Sequence, residues 1–157
     1  MVLLAEYRDA RRGEDVARLR RVIALRAMTV TGMSQRQIAE ALGTSQPAIS
    51  QQLRSAPDLE GIHPEELLEA AAPVLKALAG ERSFEHLAVF GSVARGEARQ
   101  DSDIDLIVDA PTGTSSFGFV RFKQLIEQVL GREVDLVSYG SLTPTMDDDI
   151  RRDVVLL

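Results

Sequence analysis

The chain has 157 residues, room for one ordinary domain or two small ones, and 45% apolar residues with a mean hydropathy of -0.05 suit a soluble globular protein. No apolar run approaches the roughly 20 residues that span a bilayer, and the absence of cysteine removes disulfides and thiolate metal sites, so a cytoplasmic location and no membrane partner are expected. The net charge of -6 hides an asymmetry: residues 1–58 carry nine Lys and Arg against six Asp and Glu (+3), and residues 59–157 carry nine against 18 (-9), which predicts two modules with different partners.

The opening "MVLLAEYRDARRGED" follows a short apolar run with mixed charge, unlike a secretory signal. Val16, Leu19, Val22 and Ile23 recur near a period of 3.6, so the pattern predicts a helix over Val16–Thr31, ended by Gly32. Ser34 caps a short helix, Gln35–Leu42, and Gly43 breaks it. Ser45 caps another that runs to Arg54, with Pro47 in the first turn, where a missing N–H costs little. Ile38, Ala39 and Leu42 are expected to face Ile49 and Leu53. Small Ala39 permits a close crossing, and Gly43 a sharp turn. The outer face of the second helix carries Gln46, Ser50, Gln51 and Arg54, side chains that read base edges or bind phosphates. "SAPDLEGIHP" reads as a linker.

Pro64–Ala79 is predicted as a helix with Glu65 and Glu66 at its positive end, kinked or split at Pro73. His86–Phe90, Ile104–Val108 and Glu133–Val137 are predicted strands. Between the last two, Ser115 or Ser116 caps a helix bearing Phe119, Phe122, Leu125, Ile126 and Val129, stopped by Gly131. A final helix over Pro144–Arg152 precedes a short strand in "DVVLL". The phenylalanines of 117–122 are expected in the core rather than in a base-stacking platform. His63 and His86 are expected at element starts without metal partners, and Asp147–Asp149 as a solvated helix start.

The chemistry concentrates in "GSVARGEARQDSDIDLIV", residues 91–108. Strand side chains alternate, so Asp103 and Asp105 share a face while Ile104, Leu106 and Val108 point to a core. Two adjacent carboxylates repel and raise each other's pKa unless a cation neutralises them. A hard divalent cation carrying phosphate oxygens does so naturally. Asp135 interrupts apolar neighbours in the third strand in the same manner. If those strands pair, three carboxylates share one patch, suited to metal-assisted phosphoryl chemistry with one acid also able to take a proton. Asp-Ser-Asp taken alone favours a solvated strand end or turn. The preceding residues favour the active reading: Gly91 allows close backbone approach, Ser92 offers a hydroxyl beside helix-start amides, and Arg95 follows one turn later.

Gly91-Ser92, Ala94-Arg95-Gly96 and Ser102-Asp103-Ile104-Asp105-Leu106 closely resemble the minimal nucleotidyltransferases of the DNA polymerase beta-like superfamily, over roughly Leu67–Leu157. The resemblance implies a small mixed sheet flanked by helices, two Mg2+ ions, and transfer of a nucleoside monophosphate with release of pyrophosphate. By this match Asp103 and Asp105 bind metal, Asp135 is metal ligand or base, Gly91 and Ser92 hold the triphosphate, and Arg95 and Ser102 support it. Residues 33–55 resemble the helix-turn-helix of bacterial repressors. The whole is therefore expected to be α+β: an all-α helix-turn-helix domain over 1–58, a linker over 59–66, and a nucleotidyltransferase domain over 67–157.

Proteins of this minimal type resemble antitoxins paired with a HEPN ribonuclease toxin. What that implies is AMP transfer from ATP to a tyrosine of the toxin, operator DNA as a second partner for autorepression, and a homodimer or a hetero-oligomer with the toxin. The alternatives are a repressor whose transferase fold only binds nucleotide or partner, and a nucleotidyltransferase toxin that modifies RNA. Intact acids weigh against the first, and the acidic charge of residues 59–157 against the second. A drug-modifying transferase would need a further substrate domain that the chain has no room for.

Overall fold

The structure is a computed structural model that describes residues 1–143 and 147–157. The first residues of the expected Pro144–Arg152 helix lie outside the described residues. Helix α1 (Val2–Val30) leads into α2 (Gln35–Leu42) and α3 (Gln46–Arg54), then α4 (Pro64–Glu81). The remainder runs β1 (Glu85–Phe90), the one-turn α5 (Gly91–Ala94), β2 (Ile104–Asp109), α6 (Ser116–Leu130), β3 (Val134–Ser138), α7 (Asp148–Asp153) and β4 (Val155–Leu156). The sheet order is β3-β2-β1-β4. Strand β1 pairs antiparallel with both β2 and β4, while β2 and β3 are parallel, joined by the α6 crossover. A mixed sheet flanked by helices is the expected α+β class.

Local chemistry explains most boundaries. Ser34 and Gln37 form a reciprocal capping box on α2, and the Ser45 hydroxyl accepts from the Ala48 amide at the start of α3. Gly43, at φ 67°, takes the left-handed turn between them. Ser115 caps α6 and Gly131 ends it. Helix α4 runs unbroken through Pro73, contrary to the expected kink or split. Pro73 and Glu69, the residue whose carbonyl lacks its amide partner, are both exposed, so water can serve that carbonyl.

Two apolar clusters hold the chain together. In the larger, Ile104, Leu106 and Val108 of β2 meet Leu67, Leu75 and Leu78 of α4 and Phe122, Ile126 and Val129 of α6. Phe122 stacks on Phe84 with ring centroids 3.9 Å apart. In the smaller, Leu25 of α1 joins Ile38, Ala39 and Ile49. Leu42, expected there, is 56% exposed: it ends α2 at the point where the chain turns away, and Leu25 fills the space instead. Phe117, expected in the core, is 72% exposed at the start of α6, with the Arg121 guanidinium 5.8 Å from its ring centre.

The helix expected from Val16 begins at Val2. Its first 14 residues are exposed and rest on helix-favouring Ala, Leu, Glu and Arg rather than on burial. Its later half serves both clusters: Leu19, Ile23 and Ala27 enter the larger and Leu25 the smaller. Leu59, in the segment read as a linker, is also buried in the larger cluster. Packing therefore does not divide where the charge does, at residue 58. Arg26 of α1 donates to the carbonyls of Gln128 and Val129 at the end of α6, at 2.8 and 3.2 Å, and Arg20 to that of Ala70 at 3.1 Å. Among the described residues, no helix is long and apolar enough to cross a membrane.

Leu25→Ala removes one of the four buried side chains of the smaller cluster, a change that costs about 2–5 kcal/mol in cores of this kind. Hydrogen exchange should show α2 and α3 amides losing protection while β2 amides keep theirs. Equal loss in both would mean that the two clusters unfold as one.

Candidate active site

Three adjacent strands converge on one edge of the sheet. Asp105, the second residue of β2, lies opposite Phe90 at the end of β1 and opposite Asp135 of β3. Its neighbours Ile104 and Leu106 are fully buried on the other face, so the alternation that fills the core also turns Asp105 outward. Asp103 stands two residues earlier, just ahead of β2 and exposed, while Asp135 is exposed on β3.

Gly91 follows Phe90 directly, at φ 72°, and a Cβ built there would overlap Oδ2 of Asp105. Both the backbone and the space require glycine. The turn it makes starts α5, with Ser92 half-buried in it and Val93 anchored in the larger cluster. Arg95 ends that turn. Its Nε donates to Glu97 at 3.0 Å and its Nη1 to Asp153 of α7 at 2.6 Å.

The electrostatics match this crowding. Burial raises the pKa of Asp105, and the negative charges of Asp135 and Asp103 raise it further. Arg95 opposes the shift, which places its charge within reach of the same carboxylate. Among the described residues, no three acidic or histidine side chains converge closely enough to ligate an ion as they stand. Asp105 and Asp135 are register partners across β2 and β3, and Asp103 lines the same recess as Asp135. The oxygen donors and the unrelieved repulsion nevertheless fit a hard divalent cation, whose charge would draw the carboxylates together.

The Arg95–Asp103 loop is held from the start of α4 and from the turn between α6 and β3. His63 donates from Nε2 to the Ala98 carbonyl at 3.0 Å, and its Nδ1 accepts from the Glu65 amide, so the ring is the Nε2-protonated tautomer. Glu65 accepts from the Ala98 amide at 3.0 Å, and Arg132 donates to the Ser102 carbonyl at 3.1 Å. The Ser102 hydroxyl accepts from the Arg99 amide at 2.7 Å, so it shapes this loop. His86 pairs with Asp109 at 2.8 Å at the far end of β2. Sequence reading missed Glu65, Arg132 and Asp153, because nothing in their spacing links them to residues 95–103.

Beside Asp103 and Asp135, Lys123, Glu127, Glu133 and Val134 complete a polar recess of about 240 Å³. Lys123 lies 3.7 Å from Glu127, whose carboxylate also accepts the Val134 amide. A larger cleft of about 450 Å³, lined by Arg18, Arg21, Gln52, Pro57 and Glu66 among others, holds none of the three acids and so is not the chemical centre. Elsewhere, α3 carries Gln46, Ser50, Gln51 and Arg54 together. Ser50 is half-buried and the others are exposed; Gln46 bonds Gln35 at 2.7 Å, and Arg54 reaches Gln51 at 3.4 Å.

Comparison with known proteins agrees with this geometry. The family described as "Nucleotidyltransferase domain" matches residues 74–156. Protein adenylyltransferase MntA of Thermococcus cleftensis is 37% identical over 91 residues, 58% of this chain and 89% of that one. A candidate protein adenylyltransferase of Methanocaldococcus jannaschii is 43% identical over 67 residues, 43% of this chain and 72% of its own length. A solved structure described as a minimal nucleotidyltransferase superposes with a TM-score of 0.53 at 37% identity, covering 66% of this chain and 99% of that one.

Because the folded pKa of Asp105 is raised, its protonated form favours the fold. That contribution is complete below the unfolded carboxylate's pKa and is lost as pH rises through the folded value. Without divalent cation, Asp105→Asn should therefore melt higher than the wild type at pH 7, and the advantage should vanish on acidification. A variant that melts lower than the wild type at pH 7 in chelator would refute the repulsion argument. Gly91→Ala should impair nucleotide binding, since its methyl group displaces the Asp105 carboxylate and its φ costs about 1 kcal/mol.

Proposed function

The chain belongs to the nucleotidyltransferase domain family, and from that footing we propose that it transfers AMP from ATP to a hydroxyl of a partner protein, an RNA-cleaving toxin of the HEPN type. The observation that carries this reading is the pairing of Asp105 with Asp135 beside the Gly91 turn. Asp103, Asp105 and Asp135 would hold Mg2+, which when bound supplies positive charge to the triphosphate. Gly91 and Ser92 bring backbone amides to the phosphates, and Arg95, within electrostatic reach of Asp105, supports them. Ser102 acts through the shape of its loop.

The acceptor oxygen forms a bond to the α-phosphorus, the bond from that phosphorus to the bridging oxygen breaks, and pyrophosphate leaves. Asp135, on the exposed side of the pair, takes the acceptor's proton. Two relatives bear the name protein adenylyltransferase, which favours a protein acceptor. The charge of -9 over residues 59–157 disfavours a polynucleotide and suits a basic partner. The helix pair α2–α3 would bind the operator, with Gln51 reading a base and Arg54 a phosphate.

Incubation with the product of an adjacent toxin gene, ATP and Mg2+ should add one AMP mass to the toxin, and Asp103→Asn or Asp135→Asn should abolish the addition. Labelling of tRNA with an unmodified toxin would move the protein to the RNA-modifying class. In gel shifts with its own promoter, Gln51→Ala should cost about 1–3 kcal/mol at one base position, and Arg54→Ala should weaken all sequences alike. No shift by the full chain, with or without its partner, would remove the DNA-binding role.

A further inference from the structure

Helix α1 is apolar on two sides. Val16, Leu19, Ile23 and Ala27 pack on the larger cluster. At about 100° per residue, Leu3, Tyr7 and Ala10 lie roughly 160° around the helix from that row, at i, i+4 and i+7. The same side, further along, carries Leu25 and Met28, which pack on α2 and α3. The N-terminal part of this second stripe is uncovered: Leu3 is 84% exposed and Tyr7 66%, with Met1, Val2 and Leu4 also exposed.

We propose that this stripe pairs with its counterpart on a second copy of the chain, the two α1 helices running parallel. Leu3, Tyr7 and Ala10 alternate at spacings of four and three, the a/d spacing of a two-stranded seam. Glu6 and Arg11 then occupy the flanking g and e positions. They are five residues apart, so in a parallel pair Glu6 of each copy meets Arg11 of the other, once on each side. An antiparallel pair would set Glu6 against Glu6 and Arg11 against Arg11. Glu14 takes the next a position and would meet its own copy across the axis. The seam therefore ends after Ala10, and the helices part before Leu25, about 27 Å along from Tyr7, where α2 and α3 need the space.

Charge argues for a second copy over another protein. Residues 1–15 carry three Arg against four acids in mixed order, nearly neutral and self-complementary, while a basic partner would be drawn to the acidic residues 59–157. About two turns of seam bury less than the roughly 1,000 Å² of a stable interface, so the pair forms reversibly. This inference needs neither the transfer reaction nor DNA binding to be correct.

Sedimentation of the full chain over a concentration series, without ATP or DNA, tests it. A monomer–dimer equilibrium is expected, shifted to monomer by Leu3→Glu and by Glu6→Arg, and restored when Glu6→Arg is combined with Arg11→Glu. Leu3 touches no core, so an unchanged melting temperature is the check on folding. Because the chain has no cysteine, Leu3→Cys reports direction: oxidation should link two copies through that position. A wild type that stays monomeric throughout, or a dimer indifferent to Leu3→Glu, overturns the proposal. A dimer whose Leu3→Cys form does not cross-link overturns the parallel arrangement.

Discussion

The apposition of Asp105 and Asp135 across β2 and β3 is the constraint from which the rest follows. Carboxylates on neighbouring strands face one another only if the register is fixed, and here Ile104–Val134 and Leu106–Leu136 fix it by pairing on the buried side. Parallel strands need a crossover, so α6 must span the sheet and bury Phe122, Ile126 and Val129 over it. The end of α6 is closed in part by Arg26, so α1 is tied to the same frame. Gly91 completes the site by leaving room for the Asp105 carboxylate. Repulsion between the acids is tolerated because these unrelated contacts hold the strands regardless.

Much of this was legible in the sequence because it rests on local rules. Alternation of Asp103, Ile104, Asp105 and Leu106 assigned the faces of β2. Ser34, Ser45 and Ser115 marked helix starts, and Gly43 and Gly131 the ends, because a capping hydroxyl or a left-handed turn depends on few neighbours. What escaped depends on contacts distant in sequence. Leu25 lies on the opposite side of α1 from Ile23 and Ala27, so one helix feeds two cores, which a single-period reading does not anticipate. Pro73 is tolerated because its surroundings are wet. Glu65 and Asp153 reach the loop from 33 and 58 residues away.

The α1 helix also redefines what the two halves are. Charge suggested a boundary near residue 58, but charge reports the surface, whereas packing is decided inside. The α2–α3 pair contributes Ile38, Ala39 and Ile49 and borrows Leu25 from a helix anchored on α4 and α6. Its orientation relative to the acids is therefore set by a continuous helix rather than by a tether.

The arginines that clamp backbone carbonyls carry a consequence for ionic strength. Of the nine basic residues in the first 58, Arg12 is paired with Glu69 and Arg18 with Asp15, while Arg20 and Arg26 are bound to carbonyls. Counterions are released only by cations that reach nucleic-acid phosphates, at about 0.9 in log–log slope per phosphate neutralised. Any DNA complex of this chain should thus lose affinity with added salt far less steeply than nine positive charges would suggest, and resist physiological salt better than its composition implies.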